Sequence, residues 1–372
     1  MRIALRTLIA ASALAIAWQV GAIRQTPHQT APAGIQTPVK DGNFRGMAIQ
    51  LHGGLRIYEH YCKLIPEVVD LGADTVMLVA HGWQTHAGSL DLHIDAQKTA
   101  NAEDLGKLLD LATSHGLRKI LMPVVLLSKP RDSEWRGKIV PPGHDWDAWF
   151  KRYRQFVVHF AKIAERHKVD VLMIGSELIK SEAYTQRWRE TIREVRQHYR
   201  GKLGYSANLD HYQTNKIGFW PELDYVGMTS YYELAKKPNP SIQEIDKNWR
   251  RFKKKIKAFH REVRKPIIFT EVGWCSQEGA AHEGWNYYRK QEATAGGHRE
   301  QALLYESFLK TWGDEPLVGG IIWWEWGASE GGTDDYGYTP RGKPAEALLR
   351  QWFKSEPNSK SGNKMRLLPA ER

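Results

Sequence analysis

The chain contains little cysteine: Cys62 and Cys275 are the two cysteines in 372 residues. Small disulfide-stapled folds and cysteine-rich zinc folds need more cysteine than this, so both classes are excluded. The sequence also lacks a His-Glu-x-x-His pair and a Gly-x-Ser-x-Gly elbow. Zincin-type metalloproteases and elbow-type serine hydrolases therefore find no support in the sequence.

The formal net charge is +11, from 53 Lys and Arg against 42 Asp and Glu. Residues 1–42 hold four basic residues and one acidic, and residues 354–372 hold five and two, so each end carries +3. The internal basic run at 250–257 lies among apolar residues spaced three or four apart, which predicts a helix with solvated charges. No zinc-finger or RNA-recognition signature is present. We therefore expect no nucleic-acid partner.

The two ends of the chain differ in composition from the rest. Arg2 and Arg6 precede an apolar stretch at 7–23, so residues 1–24 are predicted to be a signal peptide or an uncleaved N-terminal anchor. The chain is then exported, periplasmic or secreted, and any membrane contact is through that anchor. Residues 25–42 are interpreted as a polar linker. Residues 354–372 are interpreted as a disordered basic tail.

Residues 43–353 show no linker-like break and are predicted to form one domain. Short apolar runs alternate there with segments of helical periodicity; the runs lie at 44–51, 75–80, 119–127, 171–174, 202–207, 225–229, 266–270 and 319–323. Continuous apolar runs are typical of strands buried on both faces. Eight such alternations predict an α/β fold of the (β/α)₈ TIM barrel class. A doubly wound sheet is the alternative, but Gly53-Gly54 alone is a weak phosphate-loop signal.

Carboxylates and indole rings close several of these predicted strands. Glu177 and Glu271 close the fourth and seventh predicted strands, at the end of a barrel where active sites lie. A carboxylate is costly to desolvate there unless the site uses it. Two such groups about 5–5.5 Å apart can perform retaining glycoside hydrolysis. Tryptophans that could stack on sugar rings occur at the same strand ends: Trp83, Trp274, Trp324 and Trp326.

Three motifs carry a family resemblance. They are Ile-Gly-Ser-Glu-Leu at 174–178, Phe-Thr-Glu-Val-Gly-Trp at 269–274 and Trp-Trp-Glu-Trp at 323–326. In this order the chain resembles glycoside hydrolase clan A, and most of all glycoside hydrolase family 113, the β-mannanase type. Residues 285–287, Gln301 and Tyr305 are similar to an aromatic motif and a Gln-x-x-x-Tyr helix of that family.

The resemblance implies roles for individual residues. Glu177 would be the acid/base and Glu271 the nucleophile. The phenol of Tyr231 or Tyr232 would hold the nucleophile by a hydrogen bond, and a Trp of strand eight would form the floor of the sugar site nearest the cleaved bond. Most of the clan has Asn directly before the acid/base, whereas this chain has Ser176. Asn208 is then one candidate for the contact with the sugar 2-hydroxyl. A β-mannan substrate is implied by the resemblance alone.

Other interpretations remain open at this level. His52 and His81 follow the first two strands and are either hydrogen-bonding site residues, core residues or, in a metal-dependent barrel hydrolase, ligands. A catalytically inactive carbohydrate-binding barrel is a further alternative. Glu325 is a rival carboxylate, and Glu233 is a weaker one. For the preferred hypothesis, we expect no metal or other cofactor, a carbohydrate substrate and a monomer.

Overall fold

The computed structural model describes residues 42–208, 211–214 and 216–355. The predicted signal or anchor at 1–24, nearly all of the linker at 25–42 and the tail beyond residue 355 lie outside these residues. The last described helix ends at Lys354.

Eight parallel strands form a closed barrel in the order of the chain, and the predicted (β/α)₈ fold is confirmed. Closure is seen at Met47 of the first strand, which is paired with Val76 on one side and with Trp323 on the other. The strands are β1 Phe44–Gln50, β2 Thr75–Gln84, β3 Arg118–Leu127, β4 Val171–Ser176, β5 Lys202–Ala207, β6 Tyr225–Thr229, β7 Ile267–Val272 and β8 Val318–Trp323.

Helices connect the strands and cover the outside of the barrel. They are α1 Ile57–Tyr61, α2 Leu64–Asp70, α3 Ala102–Ser114, α4 Trp146–Arg166, α5 Thr185–His198, α6 His211–Thr214, α7 Ile242–Val263, α8 Ala295–Trp312 and α9 Pro344–Lys354. Short 3₁₀ helices add Arg136–Lys138, Pro142–His144, Ile179–Ser181 and Trp220–Glu222. Within the described part of the chain, no helix is long and apolar enough to cross a bilayer.

The helix that carries the basic run shows how local sequence sets an element. Ser241 caps α7 by accepting a hydrogen bond from the Glu244 amide, and Arg264 ends it in a left-handed conformation. Trp249 and Ile256 are fully buried on one side. The basic residues of the run mostly project into solvent on the other side, as their spacing predicts.

The core has two layers. Side chains that point into the barrel form an inner cluster, which includes Ala48, Met77, Val79, Ile120, Met122, Val171, Met173, Ile268 and Ile322. A larger cluster fills the space between strands and helices. Gly204 of β5 makes room in the inner cluster, since a Cβ there would lie 2.6 Å from the Met173 sulfur. This filled interior confines an open cleft to the ends of the barrel.

Candidate active site

The two predicted glutamates are held at the carboxyl end of the barrel by different backbone arrangements. Glu177 directly follows β4, and its amide donates to the Ser206 carbonyl at 2.8 Å, which extends the pairing with β5 by one residue. Its φ of +52° turns the chain sharply at this point. Glu271 is still inside β7. Both side chains are largely buried, with exposed fractions of 6% for Glu177 and 4% for Glu271.

One arginine joins the two carboxylates. The Nη2 atom of Arg136 lies 2.6 Å from Oε2 of Glu177 and 3.8 Å from Oε1 of Glu271. Since both distances start at the same nitrogen, the two oxygens are at most about 6.4 Å apart, the sum of the two distances. Inverting glycosidases hold their carboxyls about 6.5–9.5 Å apart and retaining ones about 5–5.5 Å. This upper bound lies just below the inverting range, so the geometry favours a retaining pair over an inverting one.

Glu177 is fully engaged by hydrogen-bond donors. Besides Arg136 on Oε2, its Oε1 atom accepts from Nδ2 of Asn208 at 2.8 Å and from Oγ1 of Thr229 at 3.1 Å. Arg136 is itself positioned by the backbone carbonyl of Ser176, which accepts from its Nε at 3.2 Å. Asn208 therefore lies beside the acid/base candidate, at the end of the neighbouring strand.

Glu271 has fewer donors. The phenol of Tyr231 donates to its Oε2 at 3.1 Å, whereas Oε1 has no hydrogen-bond partner among the described residues. Burial, and then the charge of Glu177, raise the pKa of Glu271 to about 8, although Arg136 and Tyr231 oppose the rise. Of the two predicted tyrosines, Tyr231 is the one that reaches this carboxyl. The hydroxyl of Tyr232 instead lies 3.4 Å from that of Tyr212.

Glu325 is a third carboxyl in the same region. Its Oε2 accepts from Nε2 of Gln50 at 3.0 Å, and burial raises its pKa to about 7. Its charge contributes to the raised pKa of Glu271, so the two groups are close. Glu233, the weaker rival, is exposed and lies 3.7 Å from the ring of His282.

The two histidines lie together at this end of the barrel. The rings of His52 and His81 stack with centroids 5.2 Å apart, and His81 also meets Trp83 edge-on. Burial, and then the charges of His52 and Arg136, lower the pKa of His81 to about 3, which keeps this ring neutral. In the residues that the structure describes, no group of three or more His, Cys, Asp or Glu is arranged to hold a metal ion.

The four predicted tryptophans occupy different environments. Trp83 is half-buried under Lys98, whose Nζ lies 5.2 Å from the ring centroid, and Trp324 joins the inner barrel cluster at 9% exposure. Trp326 is buried, donates to Oε2 of Glu67 at 2.8 Å and lies beneath Arg341.

Trp274 differs most from the expectation of a sugar platform, because it has no exposed surface. Side chains alternate along an extended strand, so Trp274 leaves β7 on the opposite side from Glu271 and packs against Tyr305 and Phe308 in the helix layer. Gly273, directly before Trp274, lies so close to the neighbouring chain that a Cβ there would be 2.0 Å from the Trp324 carbonyl oxygen.

The sequence assigned no role to three polar residues that contact the carboxyls of the site: Arg136, Thr229 and Gln50. Thr229 and Gln50 are the last residues of β6 and β1 and lie within the predicted apolar runs, so a polar residue at the end of such a run was the available signal. Arg136 lies in the loop after β3, in the 3₁₀ helix Arg136–Lys138. Its sequence surroundings contain no signal that distinguishes it from a solvated surface arginine.

Comparisons with known proteins agree with this geometry. The sequence model described as Glycoside Hydrolase Family 113 matches residues 60–343. A solved GH113 β-1,4-mannanase complex is 26% identical, covers 85% of this chain and 100% of its own, and has a TM-score of 0.74. The GH113 β-mannanase AaManA from Alicyclobacillus acidocaldarius is 27% identical, covers 84% of this chain and 97% of its own, and has a TM-score of 0.73. No curated protein sequence matches the chain.

Proposed function

Because the chain belongs to Glycoside Hydrolase Family 113, we propose that it is a retaining glycosidase that hydrolyses β-1,4-linked mannan with Glu271 as nucleophile and Glu177 as acid/base. The observation that carries the proposal is the meeting of both carboxylates at Nη2 of Arg136, which limits their nearest oxygens to about 6.4 Å. The similar solved β-1,4-mannanases support the mannan substrate.

The reaction proceeds by two displacements. A carboxylate oxygen of Glu271 attacks the anomeric carbon while the carboxyl of Glu177 gives its proton to the departing glycosidic oxygen, so one C–O bond forms and one breaks. The product is a glycosyl ester on Glu271 and a free sugar hydroxyl. Glu177, now ionised, takes a proton from water, whose oxygen attacks the same carbon and releases Glu271. Two inversions leave the configuration retained.

The hydrogen-bond donors around Glu177 and Glu271 influence which of the two carboxyls holds a proton before the reaction. The sequence-based mechanism expects it on Glu177, with Glu271 as the anion. Three donors face Glu177 and one faces Glu271, whose pKa is raised to about 8. The first displacement therefore requires that Glu271 be ionised and that Glu177 carry a proton once sugar is bound. Arg136 can assist by turning toward the unpartnered Oε1 of Glu271, 3.8 Å away.

The test is a panel of β-1,4-mannan, cellulose and xylan with the wild type, Glu177→Ala and Glu271→Ala. Exposed Glu262 on α7 offers a matched control, Glu262→Ala. We expect the wild type and the control to release reducing sugar from mannan, and each active-site variant to lose at least about 10²–10⁴-fold in rate. Full activity of both active-site variants would overturn the residue assignment. Activity confined to cellulose or xylan would overturn the mannan assignment.

Stereochemistry separates the two roles. In Glu177→Ala, added azide can replace water at the glycosyl ester and yield a β-glycosyl azide. In Glu271→Ala, azide can enter only from the vacated nucleophile side and yields the α-azide. NMR of the first wild-type product should show the β-anomer, whereas an α-anomer would refute a retaining reaction.

Export is a separate proposal, supported by the charged and apolar pattern of residues 1–24. Expression of the full chain in a bacterium, followed by cell fractionation and mass determination of its N-terminus, distinguishes a cleaved signal from a retained anchor. Recovery of the intact chain from the cytoplasm would refute export.

A further inference from the structure

A row of basic side chains runs along the outward side of α7, the helix Ile242–Val263. Its members are all exposed: Lys247, Arg250, Arg251, Lys254 and Arg261. Successive residues of an α-helix are about 100° apart, so these side chains lie within about 100° of the helix circumference. Trp249 and Ile256, which are fully buried, point the opposite way. We call the row the basic stripe.

The basic stripe lacks acidic partners in the part of the chain that the structure describes. Basic residues of α7 that face its neighbours are paired instead: Nζ of Lys253 lies 2.6 Å from Oε2 of Glu315, and Nζ of Lys257 lies 3.0 Å from Oε1 of the same residue. The exposed acids of α7, Glu244 and Glu262, lie beyond one edge of the stripe by the same angular count. The outward side of the helix is therefore a row of positive charge without interspersed negative charge.

This concentration of positive charge does not serve the folding of α7. Lys247 and Arg250 are three residues apart, and Arg250 and Lys254 are four apart, so like charges are neighbours on the helix surface and repel each other. A surface of mixed sign would keep the helix soluble without this repulsion. An external anion that offsets the repulsion would explain why the charges lie on one side.

The shape of the basic stripe fits a broad surface rather than an enclosed ligand. From residue 247 to residue 261 the helix rises about 21 Å, at about 1.5 Å per residue. The outer helices of a barrel present a convex face, and long Lys and Arg side chains extend from it into water. The apolar side of α7 packs into the core, so the helix cannot turn over to insert into a membrane. A planar array of anionic groups can contact the whole row at once.

We propose that the basic stripe docks the enzyme reversibly on the surface of a lipid bilayer that contains anionic headgroups. Clusters of four to eight Lys and Arg on an amphipathic helix bind such surfaces through their negative surface potential. The contact is electrostatic and leaves the hydrocarbon core of the bilayer untouched, because the apolar side of α7 is buried in the fold. This goes beyond the expectation that membrane contact is confined to the N-terminal segment.

The position of α7 keeps the proposed active site open in the docked state. The helix follows β6, so it begins at the end of the barrel where Glu177 and Glu271 lie, and it runs along the flank toward the start of β7. A bilayer against this flank lies beside the cleft and does not cover it. A long polymer can then enter the cleft while the enzyme is bound.

The test is sedimentation of the full chain with vesicles of phosphatidylcholine alone and with vesicles that also contain about 30% phosphatidylglycerol, at about 0.1 M salt. The stripe variant combines Lys247→Gln, Arg250→Gln, Lys254→Gln and Arg261→Gln. A matched control removes the same charge from α4, where the exposed cations form two separate groups at 151–152 and 162–166; it combines Lys151→Gln, Arg152→Gln, Lys162→Gln and Arg166→Gln. We expect the stripe variant to lose about 10- to 100-fold in partition onto anionic vesicles, and the control to lose less than about threefold.

Salt dependence gives a second readout. The screening length falls from about 10 Å at 0.1 M salt to about 3 Å at 1 M, so the preference of the wild type for anionic over neutral vesicles should vanish at 1 M. The neutral vesicles measure whatever the N-terminal segment contributes, since that apolar contact does not depend on lipid charge. Glu262→Gln, which removes an acid beside the stripe, should strengthen binding to anionic vesicles about two- to threefold. This variant keeps the test decisive if thermal melts show the stripe variant to be unfolded.

Several outcomes would overturn the docking proposal. Equal partition of the wild type onto neutral and anionic vesicles would refute it, and so would equal losses in the stripe and α4 variants, which would assign the effect to net charge alone. Release by inorganic phosphate beyond that by chloride at equal ionic strength would indicate a discrete anion site instead of a surface contact. Binding to soluble polygalacturonate without binding to anionic vesicles would assign the stripe to an acidic polysaccharide. All of these measurements are independent of mannan hydrolysis, so the proposed function is tested separately.

Discussion

Replacing Arg136 by Gln removes the cation that contacts both proposed catalytic carboxylates. Its Nη2 lies 3.8 Å from Oε1 of Glu271, and at that distance two unit charges interact by about 1 kcal/mol in water and by about 4 kcal/mol at an effective dielectric constant near 20. One pKa unit corresponds to about 1.36 kcal/mol. Loss of Arg136 should therefore raise the pKa of Glu271, already about 8, by about one to three units.

The sign of the effect on the rate follows from the role of Glu271. A nucleophile must be ionised, so a higher pKa moves the acid limb of kcat/KM to higher pH. Below that limb each pKa unit lowers the ionised fraction about tenfold, and we expect activity at neutral pH to fall by about 10- to 1,000-fold. The loss should be smaller at alkaline pH.

The assay is a pH profile of kcat/KM for the wild type, Arg136→Gln and Arg136→Lys, with thermal melts to show that each variant is folded. Arg136→Lys keeps the charge and should keep the limb closer to its wild-type position. An acid limb that stays in place in Arg136→Gln, with activity lowered equally at every pH, would refute the electrostatic reasoning. It would leave Arg136 as a structural support for the loop after β3.

Three further predictions follow from single contacts. Tyr231→Phe removes the hydrogen-bond donor 3.1 Å from Glu271 and should lower kcat/KM by about 10- to 100-fold in steady-state assays. The acid limb of the pH profile should again move to higher pH, and an acid limb at the wild-type position would contradict this. Because the pKa of Glu271 is raised to about 8 in the folded state, the folded chain holds this proton more tightly than the unfolded chain. The resulting stabilisation is complete below about pH 4.5, and as the pH rises to about 8 the free energy of unfolding falls by up to about 5 kcal/mol. Glu271→Gln should therefore gain stability relative to wild type between pH 5 and pH 9 in denaturant titrations, and equal curves would contradict it. Lys343→Met should lower the free energy of unfolding by about 3–5 kcal/mol, because the fully buried Lys343 side chain lies 2.6 Å from Asp335. Adding Asp335→Asn should make this loss smaller. Equal losses in the single and double variants would show that the ion pair is not the cause.

The strands could be read from the sequence because their signal is local. Runs such as 202–207 and 225–229 are bounded by polar and turn residues, and they coincide with β5 and β6. The predicted runs 75–80 and 171–174 end before β2 and β4 do. The reason is that His81, Trp83 and Ser176, at the mouth of the barrel, are polar or bulky residues that interrupt the apolar pattern. The site begins there, and its chemistry interrupts the apolar pattern.

The placement of the aromatic rings could not be read in the same way. Trp274 follows a site residue in the chain, yet strand alternation turns it into the helix layer. Trp285 lies in the loop between β7 and α8, where no periodicity predicts the direction of a side chain, and it is half exposed. A count of tryptophans near strand ends therefore predicts an aromatic-rich site without identifying which rings face it.

The sequence alone determined the eight-stranded barrel and the two strands that carry Glu177 and Glu271. Both follow from interactions among neighbouring residues: apolar runs that must be buried, and carboxylates that end them. Tertiary structure decided what surrounds those carboxylates. Arg136 reaches Glu177 across 41 positions of sequence, from the loop after β3. Such contacts depend on the path of loops over a finished barrel, which local sequence patterns do not encode.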